Sequence, residues 1–398
     1  MGYALSDRPY TYQRFISNRG TFRRDTVAGL QVDSRFADRF GATVQITAAP
    51  ASDNDNQYSA SVAWAFVSYR PADDWLFRAG RQRIPFYLYS QSYDVGVTYE
   101  FARLPTEMYS ISPSNNFDGI SFSKNWGAGG GDLALEGYWG KSKFDARYWE
   151  RDGAPPTRAP GAVFYGVNFE GGILALSYKK NEDTYRAAVV KGIGRMQDGT
   201  PLQTRYPFVP VLPGVGYYQV DDSLPGPGVG TTNGIRNTIF TLGADVGVGA
   251  GFRVTTEFAR TYVDQSDVDF ANASNRGYAS LQKNVGKWTP YVTYAFLRSK
   301  HSQRDLYDKV NGNTVPGFIP GAALINASQR AGADGILTYD QSSWAIGTSY
   351  AFSPSSKLKA ELMRVRVGQS SSLVDAPPGG NSSNQRINVF SMSYNFVF

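Results

Sequence analysis

Polar and apolar residues alternate along most of this chain, in segments of about ten residues. In the segment 39–48, for example, Val44 and Ile46 share one face, whereas Thr43 and Gln45 share the other. Successive side chains of an extended chain point to opposite faces. The alternation therefore predicts β-strands that have one apolar face and one polar face.

The alternating segments predict sixteen strands when the region 162–192 is counted as two. The turn inside that region is either Glu170-Gly171-Gly172 or Asn181-Glu182-Asp183. The predicted strands are 10–17, 25–36, 39–48, 58–70, 74–83, 117–126, 132–141, two within 162–192, 236–249, 251–262, 275–284, 288–299, 342–352, 357–369 and 385–398.

Short and long connections alternate between these strands. The long ones are 49–57, 84–116, 142–161, 193–235, 263–274, 301–341 and 370–384. Tight turns at one rim and long loops at the other are typical of a transmembrane β-barrel with an even number of strands. The alternative is a soluble all-β sandwich or propeller, in which apolar faces pack on each other.

Aromatic residues near the predicted strand ends favour the barrel, because aromatic belts flank the apolar band of such proteins. These residues are Tyr10, Tyr12, Phe36, Phe40, Trp75, Trp126, Trp288, Phe352, Phe396 and Phe398.

Composition narrows the possible chemistry. The 398 residues include no Cys and a single His, His301, which excludes thiolate metal sites and argues against a His-based metal cage or catalytic triad. No apolar run reaches the length of a transmembrane helix. We therefore expect no enzyme activity, no cofactor and no metal. Asp264, Asp267 and Asp269 share one loop, but they lack the Gly and the closing Glu of an EF-hand loop.

Basic residues outnumber acidic ones by 40 to 34, and twelve Arg precede the first Lys, Lys124. Arg is preferred where a guanidinium must hold a fixed orientation. No Lys-rich tail or nucleic-acid-binding motif appears, so we expect no nucleic-acid partner. The start Met1-Gly2-Tyr3-Ala4 lacks a signal peptide, and we expect the mature form of an exported protein with an added Met.

The C-terminal segment 386–398 resembles the closing strand of Gram-negative outer-membrane porins, which ends in Phe behind alternating aromatic or apolar residues. The resemblance implies that the outer-membrane assembly machinery reads Tyr394, Phe396 and Phe398. The segments Arg78-Ala79-Gly80-Arg81, Tyr93-Asp94-Val95-Gly96, Arg103 to Tyr109 and Phe117-Asp118-Gly119, with Pro85 between the first two, are similar to a proteobacterial porin-like group.

This resemblance implies a sixteen-stranded barrel, usually trimeric, that passes small hydrophilic solutes. It also implies that the third outer loop, 84–116, bends inward and narrows the pore. The Pro-Glu-Phe-Gly-Gly motif that general porins carry in that loop is absent here.

If the third outer loop narrows the pore, candidate charged residues lie on the loop and on the wall that faces it. Carboxylates on one side and guanidiniums on the other set up a transverse field, and rings of Arg favour anions. Alternation puts Arg78 and Arg35 on the lumen face, and a β-bulge at Gly80 would turn Arg81 inward. The full set of candidate constriction residues is Arg14, Arg35, Arg78, Arg81, Arg83, Asp94, Glu100 and Glu107.

Together these features predict a single outer-membrane β-barrel over residues 1–398, with short periplasmic turns and long extracellular loops. We expect a passive diffusion channel for small hydrophilic solutes with a preference for anions. The expected partners are two further copies in a homotrimer, outer-membrane lipid and lipopolysaccharide, and the assembly machinery. One alternative is a substrate-selective channel, for example for organic acids. Another is a barrel that serves adhesion through loops 193–235 and 301–341.

Overall fold

Sixteen strands form one antiparallel sheet in the computed structural model, which describes residues 1–111, 116–151, 159–265 and 273–398. The sheet strands are β1 (Gly2–Ser6), β2 (Ala28–Ala37), β3 (Phe40–Pro50), β4 (Tyr58–Tyr69), β5 (Trp75–Arg83), β6 (Asn116–Ala128), β7 (Gly131–Glu150), β8 (Gly161–Lys180), β9 (Asp183–Met196), β10 (Ile235–Gly249), β11 (Phe252–Val263), β12 (Ser274–Lys283), β13 (Trp288–Ser299), β14 (Tyr339–Ser353), β15 (Ser356–Ser371) and β16 (Arg386–Phe396).

The sheet wraps round so that the first strand pairs with the last. Gly2 of β1 lies opposite Ser393 of β16, and every other neighbour in the sheet is also a neighbour in the chain. The seam between β1 and β2 is formed by the chain that joins them: Ala4 pairs with Thr21, and the amide of Gly2 donates to the Thr26 hydroxyl at 3.2 Å. The all-β, sixteen-stranded antiparallel fold predicted from the sequence is confirmed.

Strand β2 shows what the two faces of the sheet contact, because all ten of its residues are exposed. Its apolar residues, such as Leu30 and Val32, point away from the interior, and its polar residues, such as Gln31 and Asp33, point into it. An exposed apolar outer face is what a lipid-facing wall requires. An exposed polar inner face shows that the interior beside β2 is open.

Aromatic rings contact one another at the short-turn rim. Phe40 stacks on Tyr69 with centroids 4.7 Å apart. On β13, β14 and β16, a series of neighbouring rings runs from Trp288 to Phe398. Tyr12 does not belong to this belt, contrary to expectation, since its side chain is fully buried.

The predicted strand 10–17 is wrong, because its residues Tyr12 and Ile16 pack in a buried cluster with inward-facing residues of β15 and β16. Only Thr11–Tyr12 is extended, and it pairs with the short strand Val374–Asp375. Gln13 and Arg14 have positive φ values of 48° and 69°, which reverse the chain locally. The turn brings Tyr12 and Ile16 to the same buried side.

Two other boundaries differ from the sequence prediction. Strand β7 continues past residue 141 to Glu150, where it still pairs with β8. The turn between β8 and β9 lies at Asn181, whose φ is +54°, so the second of the two proposed turns is the observed one.

The long loops hold structure of their own. Loop 193–235 contains a hairpin of Phe208–Leu212 and Val215–Tyr218. Loop 301–341 contains two helices, His301–Gly312 and Ala322–Gly335. The hairpin and the helices share a small apolar cluster that includes Tyr217, Val310 and Ile325. None of the described helices is long and apolar enough to cross a membrane.

Candidate functional site

The segment 84–111 leaves the end of β5 and runs through the interior of the sheet. It carries a 3₁₀ turn at Gly96–Thr98 and a one-turn helix, α1, at Thr106–Tyr109. Phe86, Phe101 and Met108 of this segment are almost fully buried. They pack against wall residues of β7 to β13. We refer to residues 84–111 as the inner loop; residues 112–115 of the predicted loop lie outside the described residues.

Polar contacts fix the inner loop to the wall. The ammonium group of Lys359 on β15 donates to the carbonyl oxygens of Gly96 (2.6 Å) and Phe101 (2.9 Å). On β11, Glu257 accepts the backbone N–H of Leu88 at 2.8 Å. Because the wall satisfies backbone groups of the inner loop directly, the loop is held as a fixed part of the barrel interior.

Two of the predicted carboxylates belong to this attachment. Glu100 forms an ion pair with Lys357 at 2.5 Å, and Glu107 accepts from the side-chain amide of Gln341 at 2.8 Å. Glu107 is fully buried in α1, and burial raises its pKa above 4.5, the ordinary value, because the charged form loses its water. Both side chains therefore face the wall of β14 and β15.

A cavity of about 570 Å³ remains on the other side of the inner loop. It lies between the inner loop, the N-terminal segment around residues 13–27, and the wall of β3 to β7. Its charged lining comprises five basic residues and three acidic ones: Arg14, Arg24, Arg81, Arg83, Lys143, Asp94, Asp118 and Asp145. We call this space the lumen cavity.

Four of the predicted constriction residues meet in the lumen cavity. Arg83 forms an almost buried ion pair with Asp94. Arg81 donates two hydrogen bonds of 2.7 Å to the carboxylate of Asp118 on β6. Arg14 donates to Asp55 at 2.7 Å.

The expected bulge at Gly80 is absent. The pairing of β4 with β5 stays in register there, with Phe66 opposite Gly80. Gly80 instead has a φ of +126°, and a Cβ atom at this position would lie 2.3 Å from the carbonyl oxygen of Ala65. The register shift lies on β4, where Ala63 is the extra residue.

Arg35 and Arg78 lie on the inner wall closer to the short turns. Arg35 is exposed on β2. The guanidinium of Arg78 lies over the ring of Phe66, 5.3 Å from its centroid. Within the described part of the chain, neither forms an ion pair.

Sequence reasoning missed the contribution of the N-terminal segment. Arg24 lines the lumen cavity, where its guanidinium donates to the side-chain oxygen of Gln13. Arg147 of β7 bridges Asp55 at 2.8 Å and Asp375 at 2.6 Å. Five Arg between residues 8 and 24 were a signal against a lipid-facing strand, since charges on the lipid face of a barrel are destabilising.

The described residues contain no cluster of three potential metal ligands. Asp264, from the loop considered above, accepts from the Thr238 hydroxyl at 2.8 Å, and Asp267 and Asp269 lie outside the described residues. The single histidine, His301, is exposed and lies 3.3 Å from Asp305 in the same helix.

The small residues of β14 face inward. Ala345 and Ser349 are buried against the interior, where Ser349 donates to Glu100 of the inner loop. They therefore provide room for the inner loop and do not form an outer surface for a second copy.

No protein-family model and no curated protein matches the sequence. Solved structures match along the whole chain. They include an OmpT variant of Vibrio cholerae that lacks loop L8 (11% identity, TM-score 0.52, covering 100% of this chain and 98% of that one). Salmonella typhi OmpF in complex with daunomycin matches at 12% identity and a TM-score of 0.50, covering 100% of this chain and 97% of that one. Pseudomonas putida OprB matches at 9% identity and a TM-score of 0.50, covering 99% and 92%.

These matches extend over the entire sheet, and the outer-membrane location predicted from the sequence agrees with them and with the exposed apolar wall. The chain therefore has the sixteen-stranded β-barrel fold of Gram-negative outer-membrane porins.

Proposed function

We propose that this chain is a passive diffusion channel of the bacterial outer membrane that prefers anions. The open interior beside β2 and β3 supports a water-filled path, because polar side chains such as Gln31, Thr43 and Gln45 hydrogen-bond to one another there and remain accessible. A solute crosses such a path down its own gradient, and the chain needs no cofactor or catalytic group to pass it.

The charge of the lumen cavity is the observation that carries the anion preference. Five basic side chains and three carboxylates line it. Asp94 and Asp118 are already paired with Arg83 and Arg81, whereas Lys143 has no ion-pair partner among the described residues. A narrow lumen with low-dielectric walls strengthens this positive potential.

The two other predicted carboxylates lie outside the lumen cavity. Glu100 is paired with Lys357, and Glu107 is buried behind the inner loop. Arg35 and Arg78 add positive charge along the open wall, opposed by Asp33, which accepts from Gln31 and Thr43. The proposed filter is therefore the group Arg14, Arg35, Arg78, Arg81 and Arg83, with Asp94 paired to Arg83 and with Glu100 and Glu107 holding the inner loop.

We propose further that the channel is a homotrimer surrounded by outer-membrane lipid and lipopolysaccharide. The exposed C-terminal aromatics support recognition by the assembly machinery, since Phe398 is fully exposed, Phe396 is largely exposed and Tyr394 is partly exposed.

Planar-bilayer recording tests the function directly. The purified chain should give stable ohmic steps, and the reversal potential in a KCl gradient should lie toward the chloride equilibrium potential. A reversal potential on the potassium side would contradict the anion preference. Absence of any steps from protein that migrates as a folded, heat-modifiable barrel would contradict the channel itself.

A further inference from the structure

The bulge at Ala63 changes which face of β4 meets the lumen. Val62 pairs with Ile46, and Trp64 pairs with Gln45, so Ala63 has no partner of its own. An extra residue in one strand inverts the alternation beyond it. In the residues that follow the bulge, Val67 is therefore exposed on the outer face, and Trp64 and Phe66 face the interior.

Trp64 and Phe66 form an aromatic surface on the inner wall. Their ring centroids are 5.8 Å apart, with the planes inclined at 46°. Polar side chains surround them on neighbouring strands, since Trp64 pairs with Gln45 and Phe66 pairs with Thr43. Phe66 is only 9% exposed and supports Trp64 from the side. The partly exposed ring of Trp64 therefore provides, in an otherwise polar wall, a surface on which a flat apolar group can stack.

Arg78 completes this surface from β5. Its guanidinium carbon lies over the ring of Phe66, 5.3 Å from the ring centroid. A guanidinium that stacks on a ring keeps its N–H edge available for hydrogen bonds in the ring plane. Among the described residues Arg78 has no carboxylate partner, so this edge is open to an anion from the lumen.

The charge beside the rings is therefore positive. On the β5 side, the carboxylates of Asp118 and Glu136 are paired with Arg81 and Arg186. On the other side, Asp33 is separated from Phe66 by one strand, roughly 10 Å at the usual strand spacing. Its oxygens already accept from Gln31 at 2.8 Å and from Thr43 at 2.6 Å. The indole N–H of Trp64 is buried and lacks an acceptor within the described structure.

We propose that Trp64, Phe66 and Arg78 form a binding site for aromatic carboxylates in transit through the lumen. The carboxylate accepts from the guanidinium of Arg78, as in a bidentate arginine–carboxylate pair, and the ring of the solute stacks on Trp64. This inference rests on the proposed function, since it specifies a solute class for an anion-preferring channel. A single weak site of this kind raises the local concentration of the solute while still releasing it.

Channel block by benzoate, with acetate as the matched probe, tests the site. Both anions carry one carboxylate, and only benzoate carries a ring. Benzoate should reduce the chloride current through the wild-type channel at concentrations about fivefold or more below those at which acetate does, because ring stacking adds affinity. Trp64→Ala should remove this difference, and Trp64→Phe should keep most of it.

Arg78→Gln should weaken block by benzoate about tenfold, since it removes a charge-assisted hydrogen bond. Two matched variants control for general effects. Arg35→Gln removes a lumen guanidinium that has no ring beside it, and Trp139→Ala removes an exposed outward-facing indole. Neither should change the ratio of benzoate block to acetate block.

The outcomes separate this site from the proposed function. Equal block by benzoate and acetate in an anion-preferring wild-type channel would contradict the proposed aromatic site and would not contradict the proposed channel function. The same holds if Trp64→Ala conducts normally and retains the wild-type benzoate block. A chain that forms no channels, or a cation-preferring one, would overturn the proposed function first.

Discussion

Arg83, at the end of β5, donates from Nη2 to the carboxylate of Asp94, eleven residues further along the inner loop. The ion pair joins the strand that leads into the inner loop to the bend that the loop makes inside the barrel. Both partners line the lumen cavity. One interaction therefore fixes the position of the loop and also cancels one unit of charge in the proposed filter.

Substitution of Asp94 by Asn should raise the anion preference of the channel. It removes one of three carboxylates from the lumen cavity and leaves the guanidinium of Arg83 uncompensated. A unit charge about 10 Å from a passing ion is worth about 0.4 kcal/mol even in water, so the ratio of chloride to potassium permeability should rise roughly twofold or more. Reversal potentials in a KCl gradient measure this ratio.

Arg83→Gln should shift the same ratio in the opposite direction. The double variant Arg83→Gln/Asp94→Asn is the matched control, because it removes the pair without changing the net charge. Its selectivity should return close to that of the wild type. If Asp94→Asn and Arg83→Gln shift the reversal potential in the same direction, loop displacement and not charge sets the selectivity.

Gly80 should tolerate no side chain. Its φ of +126° is a conformation that residues with a Cβ rarely adopt, and the added atom would meet the carbonyl oxygen of Ala65. Gly80→Ala should therefore destabilise the barrel by roughly 1–3 kcal/mol, seen as a lower temperature for the mobility shift on a denaturing gel. Gly127→Ala, where nothing lies within 4 Å of the added atom, should leave that temperature nearly unchanged.

Alternation predicted the wall well where strands run without interruption. The predicted strands 236–249 and 288–299 correspond to β10 at Ile235–Gly249 and β13 at Trp288–Ser299. In this part of the wall, lipid on one face and the inner loop or water on the other impose a strict two-residue period. The residue pattern therefore predicts the strand boundaries directly.

The same pattern misassigned the inner face of β4. Strict alternation puts Trp64 and Phe66 on the face of Val62, whereas the bulge at Ala63 moves them to the opposite face. Alanine is small enough for either face, so the sequence contains no local sign of the extra residue. The helices of loop 301–341 escaped notice for a related reason: they pack on the hairpin of loop 193–235, about a hundred residues away.

The sequence predicted which charged residues belong to the candidate site, but it did not predict which of them form ion pairs with one another. Arg and acidic residues near the inner loop were evident from the sequence. Which carboxylate stays available depends on contacts such as Glu100 with Lys357, 257 residues apart. Such pairs are set by the closure of the whole sheet, and no local rule of spacing contains them.

The barrel should become less stable as the pH rises, because the buried carboxyl of Glu107 loses its proton. Burial raises the pKa of this carboxyl above the ordinary value of 4.5, so the folded chain holds the proton more tightly than the unfolded chain. The resulting stability is fully present below about pH 4.5 and is lost as the pH rises through the folded pKa. The temperature of the gel mobility shift, measured from pH 4 to pH 8, should show this loss.

Glu107→Gln should remove that part of the pH dependence and raise the transition temperature at neutral pH, because the amide keeps a polar group facing Gln341 without a buried charge. Glu100→Gln is the comparison, since Glu100 has a cationic partner in Lys357, and that variant should lower the transition temperature. Identical pH profiles for the wild type and Glu107→Gln would show that Glu107 does not contribute.

The C-terminal Phe398 should matter for assembly more than for the stability of the finished barrel. Its side chain is fully exposed, and its ring centroid lies 6.4 Å from that of Phe396. Phe398→Ala should therefore sharply reduce the amount of barrel that reaches the outer membrane of expressing cells, while barrel refolded into detergent melts within a few degrees of the wild type. Phe252→Ala, which removes another exposed aromatic ring far from the terminus, is the control and should be inserted normally. Equal membrane levels of the Phe398 and Phe252 variants would show that the terminal ring is not an assembly signal.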